Sequence, residues 1–179
     1  GGLAVADVLF GDFNPSGKLP VTFYKNTDQL PDFEDYSMKN RTYRYMTEVP
    51  LFPFGYGLSY TTFDISKGRL NKKTISAGQD LNFKVNVKNT GKYDGAEVIQ
   101  VYVRKVDDAE GPIKSLRAFR RVPLKAGETC VVSIDLLPTT FEFFDPTTNT
   151  MRIMPGKYEI MYGNSSDIPS GNKLSVTLR

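Results

Sequence analysis

Three carboxylates stand within four residues of this chain and raise the question of acid–base chemistry. Asp32, Glu34 and Asp35 all belong to the stretch DFEDY. A pair of such groups can cleave a bond when one carboxyl is desolvated and protonated while the other stays ionised. The loop around them is polar, so all three are expected to stay solvated and ionised. We therefore predict that none of them is catalytic.

A second group with chemical potential follows in the stretch RTYRY, residues 41–45. Arg41 and Arg44 can each donate several hydrogen bonds to hydroxyl or carboxylate groups, and the Tyr43 ring can stack on a sugar ring. The structural alternative is that the arginines pair with acids of the loop while the tyrosine rings cover an edge of the fold. That alternative is the commoner outcome for such residues, and both interpretations stay open at this stage.

The composition excludes several classes of site. The chain has no histidine and a single cysteine, Cys130, so Cys/His zinc sites, Ser-His-Asp and Cys-His nucleophiles and an internal disulfide are excluded. Cys130 falls in an apolar alternation and is expected to be a buried small hydrophobe. We predict no metal and no cofactor.

The charge pattern and hydropathy exclude two kinds of partner. The net charge is +3, and the longest basic runs are the pairs Lys72-Lys73 and Arg120-Arg121. Scattered charge of this kind gives no support to nucleic-acid binding. No apolar run reaches the roughly 18 residues that a membrane span needs. We predict neither a nucleic-acid nor a membrane partner.

The first sixty residues have the pattern of an incomplete α/β unit. Leu3, Ala6 and Phe10 lie at helical spacing before Gly11, a typical C-terminal stop. The stretch KLPVTFY, residues 18–24, has the pattern of a strand, and residues 24–50 that of a long loop. One short helix and one strand cannot bury their own apolar faces. Residues 1–60 are therefore predicted to be the C-terminal end of a larger α/β domain together with an interdomain linker, and to expose apolar surface.

From residue 61 onward the pattern becomes one of short strands. Leu81, Phe83, Val85 and Val87 alternate with polar residues, which indicates a half-buried strand. Seven such strands and a further hairpin can be counted between glycine- and proline-containing turns. The predicted fold class is mainly β: a fibronectin type III-like (immunoglobulin-like) antiparallel β-sandwich over residues 61–179, preceded by a partial α/β segment.

Between these parts lies the aromatic stretch PLFPFGYGLSYTTF, residues 50–63. Its rings could form a carbohydrate platform, but few hydrogen-bonding side chains stand among them. Pro53 restricts the residues before it to extended geometry, and Gly55 and Gly57 permit close backbone approach. We predict a packed interdomain joint rather than a binding surface.

Taken together, these stretches resemble the C-terminal part of family 3 glycoside hydrolases. The resemblance rests on DVLFGDFNPSGKLPVTF, RTYRY and FPFGYGLSYT, and on the fibronectin-type stretches GAEVIQVYVRK and PGKYEIMYGNSS. It covers nearly the whole chain in the family's order. It implies a parent enzyme that works with retention, using two carboxylates about 5 Å apart and no cofactor. In the family both carboxylates belong to upstream segments that this chain does not contain, so the chain alone is expected to be inactive.

The resemblance also implies a role for residues 41–45, because this loop lies near the active-site mouth in the family. Arg41, Tyr43 and Arg44 are therefore the predicted substrate-binding residues, with the chain otherwise serving as scaffold. The stretch from Met38 to Arg44 is closer to the β-xylosidase branch than to the typical β-glucosidases, which favours terminal β-linked xylose over glucose in plant oligosaccharides as the substrate.

Two further expectations concern partners and location. The parent is expected to be periplasmic or extracellular and to meet its oligosaccharide through the upstream domains, and the exposed apolar surface of residues 1–60 makes a homodimer a further expectation. The alternative function is a non-catalytic carbohydrate- or partner-binding β-sandwich module. That alternative requires a planar row of exposed aromatic rings on one sheet, whereas Phe83, Tyr102, Phe119 and Tyr158 are expected to lie in the core.

Overall fold

A computed structural model describes all 179 residues of the chain. The helices and strands are α1 (Gly2–Phe10), α2 (Thr42–Tyr45), β1 (Phe63–Leu70), β2 (Thr74–Ile75), β3 (Leu81–Asn89), β4 (Gly95–Lys105), β5 (Ser115–Leu124), β6 (Thr129–Leu136), β7 (Glu142–Asp145), β8 (Thr150–Ile153), β9 (Gly156–Gly163) and β10 (Lys173–Leu178). Two short 3₁₀ helices, Thr27–Gln29 and Pro138–Phe141, complete the regular structure. The short helix α2 and the two-residue strand β2 escaped sequence prediction.

The strands form an antiparallel β-sandwich, as the sequence predicts. One sheet has the order β1-β3-β6 and the other the order β2-β10-β9-β4-β5. Only the short β2–β10 pair is parallel. Strands β7 and β8 form the separate hairpin that the sequence also predicts.

The core lies between the two sheets. Leu81, Phe83, Val85 and Val87 of β3 are each fully buried, which confirms the alternation read from the sequence. They belong to a cluster of 20 buried residues drawn from both sheets. Each large side chain buried in this way contributes about 1.5–3 kcal/mol, so this cluster is the main source of the sandwich's stability.

Strand β4 is buried on both faces. Its core-facing residues are Ile99, Val101 and Val103. Gln100 and Tyr102, which alternate with them, are also buried, at 2% and 0% exposure. Tyr102 meets the ring of Tyr43, and the Gln100 amide donates to the carbonyl of Gly55. The first sixty residues therefore cover the outer face of the five-stranded sheet.

Helix α1 is formed as predicted but is hardly covered. Gly11 closes it in the left-handed conformation, with φ of 86°, and donates its N–H to the carbonyl of Val8. No residue of the helix is buried, and Leu3 and Phe10 are 82% and 84% exposed. The hydroxyl of Tyr60 donates to the carbonyl of Val8 at 2.5 Å and ties the helix to the linker. None of the helices in the chain combines the length and hydrophobicity that crossing a bilayer requires.

The strand predicted at residues 18–24 is not a regular strand. Phe23 forms only an isolated bridge with Phe52. At the start of the segment, the N–H of Gly55 donates a hydrogen bond to the carbonyl of Leu19 at 2.8 Å. The prediction fails because the segment bonds to residues 51–56 only around Leu19 and Phe23, rather than along a continuous ladder.

The core prediction is wrong for Phe119, which is 68% exposed. Phe119 pairs with Gln100 across β4 and β5 and so shares its outward-facing side of the sheet. It lies on an edge strand, beyond the part of the sheet that the first sixty residues cover. Cys130 is half-buried and packs against the core cluster.

Candidate functional site: the arginine–tyrosine loop

The three predicted binding residues lie together around helix α2. Arg41 immediately precedes the helix, and Tyr43 and Arg44 belong to it. Asn40 and Thr42 adopt left-handed backbone conformations, with φ of 57° and 55°. Asparagine adopts this conformation comparatively easily, whereas a β-branched threonine does so only where surrounding contacts hold it. We call residues 38–46 the arginine–tyrosine loop.

Arg41 is used to order the loop itself. Its Nε donates to the carbonyl of Ser37 at 2.9 Å, and a second guanidinium N–H donates to the carbonyl of Asp35. Its backbone N–H donates to the carbonyl of Met38 at 3.0 Å. These three bonds fasten the preceding turn to the start of α2 through backbone carbonyls, and Arg41 forms no ion pair with an acid of the loop.

Tyr43 is packed against the sandwich. Its ring stacks on Phe54 with centroids 4.3 Å apart and meets Tyr102 edge-on at 5.8 Å. Its hydroxyl accepts a hydrogen bond from the backbone N–H of Leu116 at 3.0 Å. With these neighbours the ring is not presented as an open stacking platform.

Arg44 is the one residue of the three whose side-chain polar group has no hydrogen-bond partner. The side chain is exposed, forms no hydrogen bond or ion pair, and lies over the ring of Tyr45 at 5.8 Å from its centroid. Its backbone carbonyl, by contrast, accepts from the N–H of Ile113 at 2.8 Å. The helix is therefore anchored while the charged group projects from it.

A second arginine gives this corner a positive character. Arg117 of β5 is half-buried, donates to the carbonyl of Glu142 at 2.5 Å and lies 4.8 Å from the centroid of Phe143. Its Nε has no partner. Burial, and then the charge of Arg44, lower the pKa of Arg117. The nearby Glu142 carboxylate acts on Arg117 in the opposite direction.

The carboxylates of DFEDY lie in an exposed turn. Asp32 and Glu34 are exposed. Asp35 accepts from the N–H of Ser37 at 2.8 Å, and this backbone bond lowers the pKa of its carboxyl. A general acid needs the opposite shift. The same turn displays Phe33 and Tyr36, which are 92% and 91% exposed.

A cleft separates the end of the loop from the sandwich. It has a volume of about 570 Å³, and Met46, Glu48, Arg104, Lys114 and Asp167 are among the residues that line it. The Lys114 ammonium donates to the carbonyl of Ser166 at 2.5 Å. Desolvation lowers the pKa of Lys114.

The aromatic stretch at residues 50–63 acts as an interdomain joint. The Gln100 amide donates to the carbonyls of Gly55 and Asn164 at 3.1 and 2.6 Å, and its oxygen accepts from the hydroxyl of Tyr102 at 2.5 Å. The N–H of Ser166 donates to the carbonyl of Phe54 at 2.8 Å. These bonds connect the aromatic stretch to strand β4 and to the connection that follows β9, so the stretch is packed against the sandwich.

An ion pair strengthens the same joint. Lys18 and Glu97 are 2.6 Å apart, with side chains 13% and 6% exposed. Glu97 also accepts from the Asn164 amide at 2.9 Å. Sequence reasoning missed Lys18, Glu97 and Gln100. The one available signal was Gln100, a polar residue in the middle of the otherwise apolar run VIQVYV.

Two family matches divide the chain. Residues 1–60 match the glycosyl hydrolase family 3 C-terminal domain, and residues 97–166 match a fibronectin type III-like domain. No cluster of three or more potential metal-ligating His, Cys, Asp or Glu residues occurs in the chain.

Relatives of known name are glycosidases. A xylan 1,4-beta-xylosidase of Xylanibacter ruminicola is 56% identical over 178 residues, which is 99% of this chain and 20% of the relative. A periplasmic beta-glucosidase of Salmonella typhimurium is 39% identical over 93% of this chain and 23% of its own length. The chain thus spans about a quarter or less of the relatives it matches.

Solved structures of β-glucosidases contain a region with the same fold as this chain. A β-glucosidase of Erythrobacter marinus superposes with a TM-score of 0.84 at 38% identity, over 100% of this chain and 24% of that protein. A β-glucosidase of Listeria innocua in complex with isofagomine superposes with a TM-score of 0.81 at 33% identity, over 99% of this chain and 26% of that protein.

The joint can be tested with a pair of glycine substitutions. Gly55 and Gly78 are both left-handed, with φ of 78° and 84°, but a Cβ at Gly55 would overlap the Gln100 amide whereas one at Gly78 would meet nothing within 4 Å. We expect Gly78→Ala to lower the free energy of unfolding in urea by about 1 kcal/mol, from backbone conformation alone. Gly55→Ala should cost about 3 kcal/mol, because the overlap adds to the same conformational cost. Equal losses would contradict a tightly packed joint.

Proposed function

Since this chain belongs to the family 3 glycoside hydrolases and corresponds to their C-terminal region, we propose that its parent enzyme releases terminal β-linked sugars from plant oligosaccharides. The proposed sugar is xylose, with glucose as the second choice. The observation that carries this choice is the 56% identity to a xylan 1,4-beta-xylosidase over 99% of the chain, against 39% to a beta-glucosidase.

The proposed contribution of this chain is support and substrate contact, not the bond-breaking step. Retaining hydrolysis needs one carboxylate as nucleophile and one carboxyl of raised pKa as acid. In this chain the carboxyls with shifted pKa values are Asp35, Asp107 and Asp145, and hydrogen bonds from neighbouring groups lower all three. The reaction needs water and two carboxylates, and therefore no cofactor.

Within the arginine–tyrosine loop the three candidate residues take different parts in this proposal. The free guanidinium of Arg44 donates hydrogen bonds to hydroxyl oxygens of the bound sugar. Arg41 and Tyr43 give the loop its shape, since their polar groups are already bonded to the loop and to the sandwich.

We also propose that the parent is exported to the periplasm or the cell exterior, where plant oligosaccharides are met. The name of the Salmonella typhimurium relative, a periplasmic beta-glucosidase, supports this location. We propose neither a nucleic-acid nor a membrane partner.

The alternative of a non-catalytic binding sandwich has no specific support. It requires aromatic rings in a row on one sheet. The exposed rings of the sandwich are Tyr93, Phe119 and Phe144, and they lie on the β3–β4 connection, on β5 and on β7, which belong to different surfaces.

Hydrolysis of aryl β-xyloside and aryl β-glucoside tests the proposed function. We expect the full-length enzyme that contains this chain to hydrolyse both, with the higher kcat/KM on the xyloside. The purified 179-residue chain should show no turnover above buffer, because it lacks the catalytic pair. Turnover by the isolated chain that is lost on Glu34→Gln would overturn the assignment of DFEDY as non-catalytic.

The role of Arg44 is tested by Arg44→Ala in the full-length enzyme. A hydrogen bond to a charged donor is worth about 1.5–3 kcal/mol, so we expect kcat/KM to fall about tenfold or more. Arg69→Ala is the matched control, because Arg69 is an exposed strand residue of the opposite sheet. If both variants keep the wild-type kcat/KM, Arg44 does not contact the substrate.

The apolar surface of α1 leads us to propose a homodimer of the isolated chain. Leu3, Leu9 and Phe10 are 82%, 72% and 84% exposed, and burying such side chains favours association. We expect sedimentation velocity to show concentration-dependent dimers that Phe10→Ser weakens. Phe144→Ser, which removes an exposed ring of the sandwich, is the control and should leave association unchanged. A monomer at all concentrations would contradict the proposal.

A further inference from the structure

The sandwich is bonded to helix α2 by two hydrogen bonds near the start of β5. The N–H of Ile113 donates to the carbonyl of Arg44 at 2.8 Å, and the N–H of Leu116 donates to the hydroxyl of Tyr43 at 3.0 Å. Both donors are backbone groups of the sandwich, and both acceptors belong to adjacent residues of the helix. The position of Arg44 is therefore tied directly to an edge strand of the five-stranded sheet.

The ring of Tyr43 adds contacts to both parts of the chain. It stacks on Phe54 of the joint, and its edge contact is with the fully buried Tyr102 of β4. Tyr102 in turn donates to Gln100, which bonds the joint. Tyr43 thus lies where the joint, the sheet and the loop meet.

The loop needs this support because its own backbone conformation is unfavourable. Asn40 and Thr42 are both left-handed, and helix α2 has only four residues. A helix of that length is not stable by itself in water. Met46, at 7% exposure, anchors the far end. The shape of the loop therefore depends on contacts from outside it.

The backbone of helix α2 is held in this way, whereas the guanidinium of Arg44 has no hydrogen-bond or ion-pair partner. It is close enough to Arg117 for its charge to lower the pKa of that group. The Glu142 carboxylate acts on Arg117 in the opposite direction. The position of Arg44 therefore rests on the backbone contacts from Ile113 and Leu116 rather than on an ion pair of its own.

We propose that the fibronectin-like sandwich positions the substrate-contacting arginine of the enzyme, and that Tyr43 is the positioning residue through which it does so. The Tyr43 hydroxyl fixes α2 on β5, and α2 directs Arg44 toward the hydroxyl oxygens of the sugar. This inference rests on the proposed function. It assigns the sandwich a part in substrate affinity beyond that of a scaffold.

The test compares Tyr43→Phe with Tyr158→Phe in the full-length enzyme. Each substitution removes one hydroxyl and one hydrogen bond, that of Tyr158 being donated to the carbonyl of Met154 at 2.6 Å inside the sandwich. Both rings remain in place, so both variants are expected to fold. The measurements are KM and kcat on aryl β-xyloside, the melting temperature, and amide hydrogen exchange of residues 42–46.

We expect Tyr43→Phe to raise KM about fivefold, the effect of one hydrogen bond of ordinary strength, with kcat within about twofold of wild type. Exchange of residues 42–46 should become faster by a similar factor. Tyr158→Phe should lower the melting temperature to a similar extent while leaving KM and the exchange of residues 42–46 unchanged.

The proposal is overturned if the two variants behave alike in KM and in exchange. Faster exchange in Tyr43→Phe without a rise in KM also overturns it, since the loop would then be held for stability alone. If the wild-type enzyme hydrolyses neither aryl glycoside, the proposed function fails, and only the hydrogen-exchange comparison then tests whether the sandwich positions the loop. Faster exchange of residues 42–46 in Tyr43→Phe than in Tyr158→Phe supports that positioning. Equal exchange in the two variants overturns it.

Discussion

Gln100 carries a buried amide in the middle of an otherwise apolar strand, and a buried amide must find partners for its donors and its acceptor. Its partners are the carbonyls of Gly55 and Asn164 and the hydroxyl of Tyr102. Gly55 can lie this close only because it lacks a Cβ. The requirement to satisfy one amide therefore fixes the aromatic joint on the outer face of the five-stranded sheet. The bond from the N–H of Ser166 to the carbonyl of Phe54 and the ion pair of Lys18 with Glu97 add to the same joint.

Hydrogen bonds and an ion pair at the joint fix the position of the first sixty residues on the sandwich, which apolar packing alone would not do. Apolar surfaces can slide over one another at little cost, whereas hydrogen bonds and close ion pairs hold one register. The joint has both kinds of polar contact, in Gln100 and in the pair of Lys18 and Glu97. Rings of Phe54 and Tyr43 then fill the space between them. The result is a fixed base on which a short, unfavourable helix can be held.

Local patterns explain what could be predicted from the sequence. The alternation from Leu81 to Val87 and the stop at Gly11 depend on residues close together in the chain, and the structure has both. Phe119 and the segment 18–24 depend instead on what lies beside them, which no local pattern records. The same distinction applies to the site. Residue type marked Arg41, Tyr43 and Arg44 as candidates, but only their bonding partners distinguish them. The Arg41 guanidinium is bonded to the nearby carbonyls of Ser37 and Asp35, whereas the Tyr43 hydroxyl is bonded to Leu116, some seventy residues away in the chain. The second of these contacts could not be read from any local pattern.

A loop that is ordered before the sugar arrives gives the proposed binding step an energetic advantage. Ordering one residue of backbone costs about 1–2 kcal/mol, and a binding site that orders its loop on binding loses that amount from its affinity for each residue. Helix α2 has four residues, so a helix that is already in place spares the binding step several kcal/mol, a contribution comparable with that of the hydrogen bonds that Arg44 itself can donate. The mobile part is then confined to one arginine side chain. On this reasoning the proposed affinity for the sugar depends on strand β5, which holds helix α2 in place, as well as on Arg44 itself.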